Sequence, residues 1–182
     1  MSPECIYCMN RIIRLSELPH LESVAHDIRE QLSDPINQDL NIHFKGTVAR
    51  YTGEEDEVLT NLEEARDLCE TGKREQFIVF AGEKAVGMSI VTNQVTPPDG
   101  IDETWPNISG FICNPYRSLG LGRLSIQHRM KIVDNNFDGH AWTYVRKGNV
   151  PAEKIVLAAG FRVTDIIVSG QEHQNVFLYN KI

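Results

Sequence analysis

The chain has 182 residues, 41% hydrophobic, 24% charged and 8% aromatic. That is an ordinary composition for one soluble domain, and it excludes disordered, collagen-like and fibrous classes. The formal net charge of −7 argues against a nucleic-acid binder, which needs a surplus of Lys and Arg to neutralise phosphates, and favours a positively charged partner.

No stretch approaches the roughly 20 apolar residues of a membrane span, and Met1-Ser-Pro-Glu-Cys has neither the basic nor the apolar region of a secretory signal. The expectation is a cytoplasmic protein that does not engage membranes. Residues 1–9 read as a lead-in without assigned role, and 10–182 as a single domain. Cys5 and Cys8 form one Cys-x-x-Cys pair; a structural zinc site wants four ligands, no second pair follows, and no metal is expected. Cys69 and Cys113 read as small core hydrophobes.

Arg11-Ile-Ile-Arg-Leu15 reads as a first strand, and Ser16-Glu17-Leu18-Pro19 supplies helix-start chemistry. Leu21, Val24, Ala25, Ile28 and Leu32 then recur at helical spacing until Ser33-Asp34-Pro35. Residues 36–51 are an excursion without clean period. Thr52-Gly-Glu-Glu55 has capping-box form, and Val58, Leu62, Ala65 and Cys69 share one face of a second helix ending near Gly72.

The period then changes from 3.6 to 2. Phe77–Phe80 and Val86–Val91 form a hairpin around Ala81-Gly-Glu-Lys84, and a strand runs from about Trp105 to Cys113. A long helix follows Asn114–Arg123, with one apolar stripe of Ile126, Met130, Val133 and Phe137 and another of Leu121, Leu124, His128 and Ile132. Residues 140–146 form a strand, Asn149-Val-Pro-Ala152 opens a short helix closed by Gly160, and strands 161–168 and 176–179 end the chain. The order βααβββαβαββ implies a mixed sheet with helices on both faces.

The segment most informative about chemistry is Arg117-Ser-Leu-Gly120-Leu-Gly122-Arg123, set between a strand and a helix. Its glycines let the backbone approach a ligand, and the helix N-terminus presents unpaired N–H groups with partial positive charge, an arrangement suited to an anion. No Gly-Lys-Ser/Thr follows, and position 125 is Ser rather than the third glycine of a dinucleotide fingerprint.

Arg117-x-x-Gly120-x-Gly122 resembles the coenzyme A pyrophosphate loop of the GNAT superfamily, the Gcn5-related N-acetyltransferases. Asn149-x-x-Ala152 leading to Gly160-Phe161 resembles that family's second signature. With the matching element order, the resemblance covers about residues 10–182. It implies the GNAT acyl-CoA N-acyltransferase fold, an α/β architecture with a mixed, mostly antiparallel sheet. It also implies direct transfer of acetyl from acetyl-CoA to a primary amine of a small molecule, peptide or protein in a ternary complex.

On this resemblance Phe111, Ile112 and Cys113 would splay from residues 142–146 and admit the pantetheine arm. Backbone N–H groups of Ser118, Leu119, Gly120, Leu121, Gly122 and Arg123 would hold the pyrophosphate, the Arg117 and Arg123 side chains adding charge-assisted bonds. Asn149 would reach the pantetheine beside Ala152 while also capping its helix. Many members place a Glu on or near the fourth strand as base; here Ile108–Phe111 offers no carboxylate, and Glu103 just upstream is the candidate, with His140 and Tyr144 as alternatives. The family's usual acid, a tyrosine seven residues beyond the Asn, is replaced by Val156. Tyr144 and Tyr116 are possible substitutes, and a non-catalytic acyl-CoA-binding module is the alternative function. Residues 53–70 carry eight acids (Glu54, Glu55, Asp56, Glu57, Glu63, Glu64, Asp67, Glu70) against Arg66. They are a solvated face or a field attracting a cationic acceptor. A monomer or homodimer is expected.

Overall fold

The protein is described by a computed structural model over residues 10–34, 37, 55–166 and 174–181. The Cys5–Cys8 pair, most of the 36–51 excursion and Thr52–Glu54 lie outside the described residues. The strands are β1 (Asn10–Arg14), β2 (Arg74–Ala81), β3 (Lys84–Thr92), β4 (Asn107–Ile112), β5 (His140–Arg146), β6 (Arg162–Val163) and β7 (Gln174–Asn180). The helices are α1 (Glu22–Ser33), α2 (Glu55–Glu70), α3 (Leu121–Asn136) and α4 (Val150–Ala158). Among the described residues the order is the expected βααβββαβαββ, and one seven-stranded mixed sheet runs β1-β2-β3-β4-β5-β7-β6. The chain divides into two compact units, Met1–Ser89 with Gly110–Leu121 and Ile90–Ser109 with Gly122–Ile182.

In the first unit β1 runs antiparallel to β2, with Asn10 opposite Ala81 and Arg14 opposite Phe77. Alternation along the strands sorts the core into two layers. Ile78, Phe80 and Ala85 pack with Val24, Ala25, Ile28 and Leu32 of α1 and with Val58, Leu62, Ala65 and Cys69 of α2. Val79 and Val86 pack with Ile112 and Leu121. Both helical stripes are therefore the ones the sequence spacing indicates. The first helix nevertheless starts later than its Ser16 signal. Leu15–Glu17 forms a single 3-10 turn closed by Leu18 N–H on the Leu15 carbonyl at 3.3 Å. Pro19 holds Leu18 extended (φ −82°, ψ 118°), so the α-helix restarts only at Glu22. Polar contacts fasten α1 to the β2–β3 turn: Ala85 N–H donates to Asp27 Oδ2 at 2.9 Å, and Lys84 Nζ pairs with Glu30 at 2.9 Å. The Lys84 contact draws the Glu30 carboxyl below its ordinary range.

Two glycines set the approach of β3 to β4. A Cβ on Gly87 would collide with the Phe111 carbonyl oxygen, and one on Gly110 with the Met88 carbonyl oxygen. Cys113 N–H continues this contact, donating to the Val86 carbonyl at 2.8 Å.

In the second unit β4 and β5 are parallel, with Asn107 opposite Trp142, and β5 is antiparallel to β7 from His140–Asn180 to Arg146–Gln174. Ile126, Met130 and Val133 of α3 pack with Val91, Ile108, Ala141, Val145, Val156, Phe161 and Phe177. A separate cluster holds Ile101, Trp142 and Val176, with Trp105, Tyr144, Ile166 and Leu178 against it.

Two expectations change here. The second apolar stripe of α3 is buried only in part: Leu121 is fully enclosed with Val79, Val86 and Ile112 and Ile132 packs against the Ile126–Val133 cluster, whereas Leu124 is 38% exposed. The 161–168 strand shortens to Arg162–Val163. There the Thr164 N–H still donates to the Val176 carbonyl at 2.9 Å, while its hydroxyl donates to the same carbonyl and accepts the Ile166 N–H, both at 3.2 Å, and the chain leaves β7 beyond this residue.

Because the Gly87 obstacle is backbone and cannot yield like a side chain, Gly87→Ala is expected to destabilise the fold by about 2–3 kcal/mol. Urea unfolding followed by far-UV circular dichroism should show a lower midpoint at unchanged slope. An unchanged midpoint would show that β3 and β4 separate without cost.

Candidate functional site

The connection leaving β4 is built from local backbone constraints. Cys113 is extended (φ −61°, ψ 145°), Asn114–Leu119 forms a 3-10 segment with proline in its first turn, and Gly120 adopts the left-handed conformation (φ 77°, ψ 0°). Leu121 then begins the 16-residue α3. Only glycine adopts the Gly120 conformation at little cost. A Cβ there would meet nothing within 4 Å, so the backbone faces open space. Gly122 faces a neighbour instead: a Cβ there would lie 3.2 Å from Ile155 Cδ1 of α4, a tight contact that this side-chain end would have to relieve by a few tenths of an ångström.

The first N–H groups of α3 have no intrahelical partner, and its first turn contains no acidic residue. Ser118, Gly120 and Arg123 are exposed. Arg117, expected to address an anion, also folds back on the strand before it, Nε donating to the Ile112 carbonyl at 3.0 Å. Phe111, Ile112 and Cys113 are buried. Burial pushes the Cys113 thiol up to about 12, only partly opposed by Arg117.

In the second unit Asn149 caps α4 as its residue type predicts, Oδ1 accepting the Ala152 N–H at 3.4 Å with Pro151 in the first turn. Val156 is 7% exposed and belongs to the α3 core cluster. Tyr144 stands half-buried on β5, its ring edge-on to Trp142 with centroids 5.0 Å apart. Burial raises its phenol above the ordinary tyrosine value. Glu103 lies exposed in the turn preceding β4.

Around that turn is an arrangement the sequence did not suggest. Trp105 and His140 stack in parallel, centroids 4.6 Å apart at 4°. Trp142 Nε1 donates to the Trp105 carbonyl at 3.0 Å. Asp102 accepts both the Thr104 hydroxyl and N–H, at 2.7 and 2.8 Å, and these bonds lower its carboxyl. Trp105 was expected to open a strand; it instead packs a turn onto β5. Among the described residues no three His, Cys, Asp or Glu side chains gather as a metal site, and no helix is long and apolar enough to cross a membrane.

No protein-family model and no curated protein matches the sequence. Solved structures do match. RimL, a ribosomal L7/L12 alpha-N-protein acetyltransferase in complex with coenzyme A, superposes with a TM-score of 0.61 at 14% identity, over 97% of this chain and 96% of that one. The microcin C7 self-immunity acetyltransferase MccE, in complex with acetyl-CoA and AMP, gives 0.63 at 12% identity over 88% of each chain. The Campylobacter jejuni N-acetyltransferase PseH, in complex with acetyl coenzyme A, gives 0.57 at 16% identity over 96% of this chain and all of that one. The chain has the GNAT fold.

Within that GNAT fold, the segment from Cys113 to Arg123 and the Asn149 cap form at the motif positions named from sequence. Tyr144 and Glu103 lie in one unit, each set by its own local packing. Both described thiols are buried, and burial raises each one. Since thiolate is the nucleophile, Cys69 and Cys113 should resist iodoacetamide at pH 8 and alkylate only in denaturant. Peptide mapping by mass spectrometry checks this, and native labelling of Cys113 would contradict its burial.

Proposed function

We propose that the protein is an acetyl-CoA-dependent N-acetyltransferase acting on a primary amine, by direct transfer within a ternary complex. The observation that carries this reading is the left-handed, open Gly120 between β4 and α3. It stands directly before a helix N-terminus whose first turn has no acidic side chain. Such a surface fits a pyrophosphate. In this reading Ser118 to Arg123 bind it through backbone N–H groups, Arg117 and Arg123 add charge, and Phe111, Ile112 and Cys113 line the pantetheine arm. Asn149 and Ala152 complete the cofactor contacts.

Acetyl-CoA supplies the activated acyl group: the acceptor nitrogen forms a C–N bond to the acetyl carbon as the C–S bond breaks. A lysine-like amine has a pKa near about 10.4 and must lose a proton to attack; Glu103, open to water, is the proposed base. Tyr144 is the proposed donor to the departing sulfur, because its raised pKa keeps the phenol protonated at neutral pH and beyond. The acids of 53–70 favour a cationic acceptor, such as a peptide N-terminus, a lysine or a polyamine.

A second reading rests on Val156. A buried valine stands at the position of the usual tyrosine, so the chain could bind acyl-CoA without transferring it. Incubation with acetyl-CoA and an amine panel, following free thiol, separates the two: saturable binding without thiol release from any amine supports the binding module.

Gly120→Glu places a charged side chain in a left-handed backbone conformation that glycine adopts at little cost and glutamate only with strain, directly before the anion site. Its acetyl-CoA affinity should fall by about a hundredfold or more, and unchanged affinity by calorimetry would mean the loop is misassigned. For Tyr144→Phe, kcat should drop by about a hundredfold at unchanged acetyl-CoA KM. Because burial holds the wild-type phenol above its ordinary value, the alkaline loss of kcat due to it should set in at a higher pH than an ordinary tyrosine would give and be absent from the variant. Equal kcat in both proteins would remove Tyr144 from the mechanism.

A further inference from the structure

Asn37 has no accessible surface. A buried carboxamide is costly unless both its ends are bonded, and both are. Nδ2 donates to the Gln31 carbonyl at 2.7 Å, and Oδ1 accepts the Asn114 N–H at 2.7 Å. Both lie at the short end of the N–H···O range.

The two partners are helix-end groups from different elements. The Gln31 carbonyl belongs to the last turn of α1, where it accepts the Asp34 N–H at a long 3.4 Å and takes the shorter Asn37 bond on its second lone pair. The Asn114 N–H opens the 3-10 segment that leads to Gly120, and the residue in the N-cap position there, Cys113, supplies no side-chain bond. One side chain 77 residues away in the sequence therefore caps that segment and the end of α1 together.

None of Asn114–Leu119 is fully buried, although Tyr116 and Leu119 pack part-buried against Val79, Val86, Ile112 and Leu121, so backbone anchors at the start of the segment supplement a partial side-chain packing. Pro115 has no N–H, and the Tyr116 N–H bonds back to the Cys113 carbonyl at 3.0 Å. At its base the chain's departure for Ser118 and Gly120 is anchored by Asn37 on one side and the Val86 bond of Cys113 on the other.

We infer that Asn37 is a positioning residue for the cofactor loop: by holding the Asn114 N–H it sets the entry of the segment whose N–H groups are proposed to bind the pyrophosphate. The inference rests on that assignment of the loop. It acts on affinity for acetyl-CoA rather than on proton transfer, so loss of the clasp raises the acetyl-CoA KM and leaves kcat nearly unchanged.

Asn37→Asp gives a test with an internal control. Ionised, the new side chain still accepts the Asn114 N–H but sets a second carboxylate oxygen against the Gln31 carbonyl. Protonated, it donates there as the amide did. Burial beside a carbonyl raises the pKa of this carboxyl, so the clasp is lost at high pH and restored as pH falls. Acetyl-CoA binding to wild type and Asn37→Asp is measured by calorimetry from pH 5 to 8, with amide hydrogen exchange at Asn114 and circular dichroism on the same samples. The variant should bind about tenfold more weakly than wild type at pH 8 and approach it at pH 5. Asn114 exchange should be faster than in wild type only at the higher pH.

Asn37→Leu, which offers neither donor nor acceptor, should lack the recovery. A variant matching wild type in Asn114 exchange and in affinity at every pH overturns the clasp. If the wild type itself does not bind acetyl-CoA, the loop assignment fails and the positioning role falls with it. In that case the Asn114 exchange still reports whether the bond exists.

Discussion

The close contact of β3 with β4 at Gly87 and Gly110 is the constraint on which the first unit depends. Carbonyl oxygens of each strand occupy the volume that a side chain on the other would need. Packing of this kind is set by backbone, which cannot change rotamer to relieve strain. It fixes the end of β4, and with it Cys113, whose N–H joins Val86. The 3-10 segment begins on that foundation. The open face at Gly120 lies at the end of this segment, and the chain reaches it from two glycines and a strand contact.

Charge is distributed to match. Residues 53–70 account for the whole net charge of −7, leaving 17 bases and 17 acids of totals of 18 and 25. The inner face of α2, Val58, Leu62, Ala65 and Cys69, is buried, so Glu63, Glu64, Asp67 and Glu70 necessarily fall on its exposed side. The start of α3 has the opposite character: basic side chains at 117 and 123, no acid in the first turn, and a positive dipole end. The two segments thus carry charge of opposite sign.

Much of this was legible in the sequence because it was encoded locally. Period and caps located α1, α2, α3 and β5, and the glycine spacing located the turn at Gly120. Val156 was recognised as apolar from its place in the Asn149 motif, and the structure makes it a core residue. What escaped was written in pairs distant along the chain. Asn37 sits in a stretch without period, and its partner is a backbone group that carries no residue signature. The Trp105–His140 stack joins a turn to a strand 35 residues later, and Trp105 looked like the opening of a strand because aromatic residues favour strands. The short β6 escaped for a different reason. Thr164 has high strand propensity, yet its hydroxyl competes for the backbone.

The two tryptophans of the chain, Trp105 and Trp142, both fall in the second unit. One is stacked on an imidazole and the other is fully enclosed beside a tyrosine edge. Indole emission is therefore a local gauge. It reports the β5 side and is blind to the first unit, which holds α1, α2 and the hairpin. An unfolding curve traced by tryptophan fluorescence and one traced by helical ellipticity would follow different parts of the molecule. Their coincidence or separation would measure whether the two units melt as one.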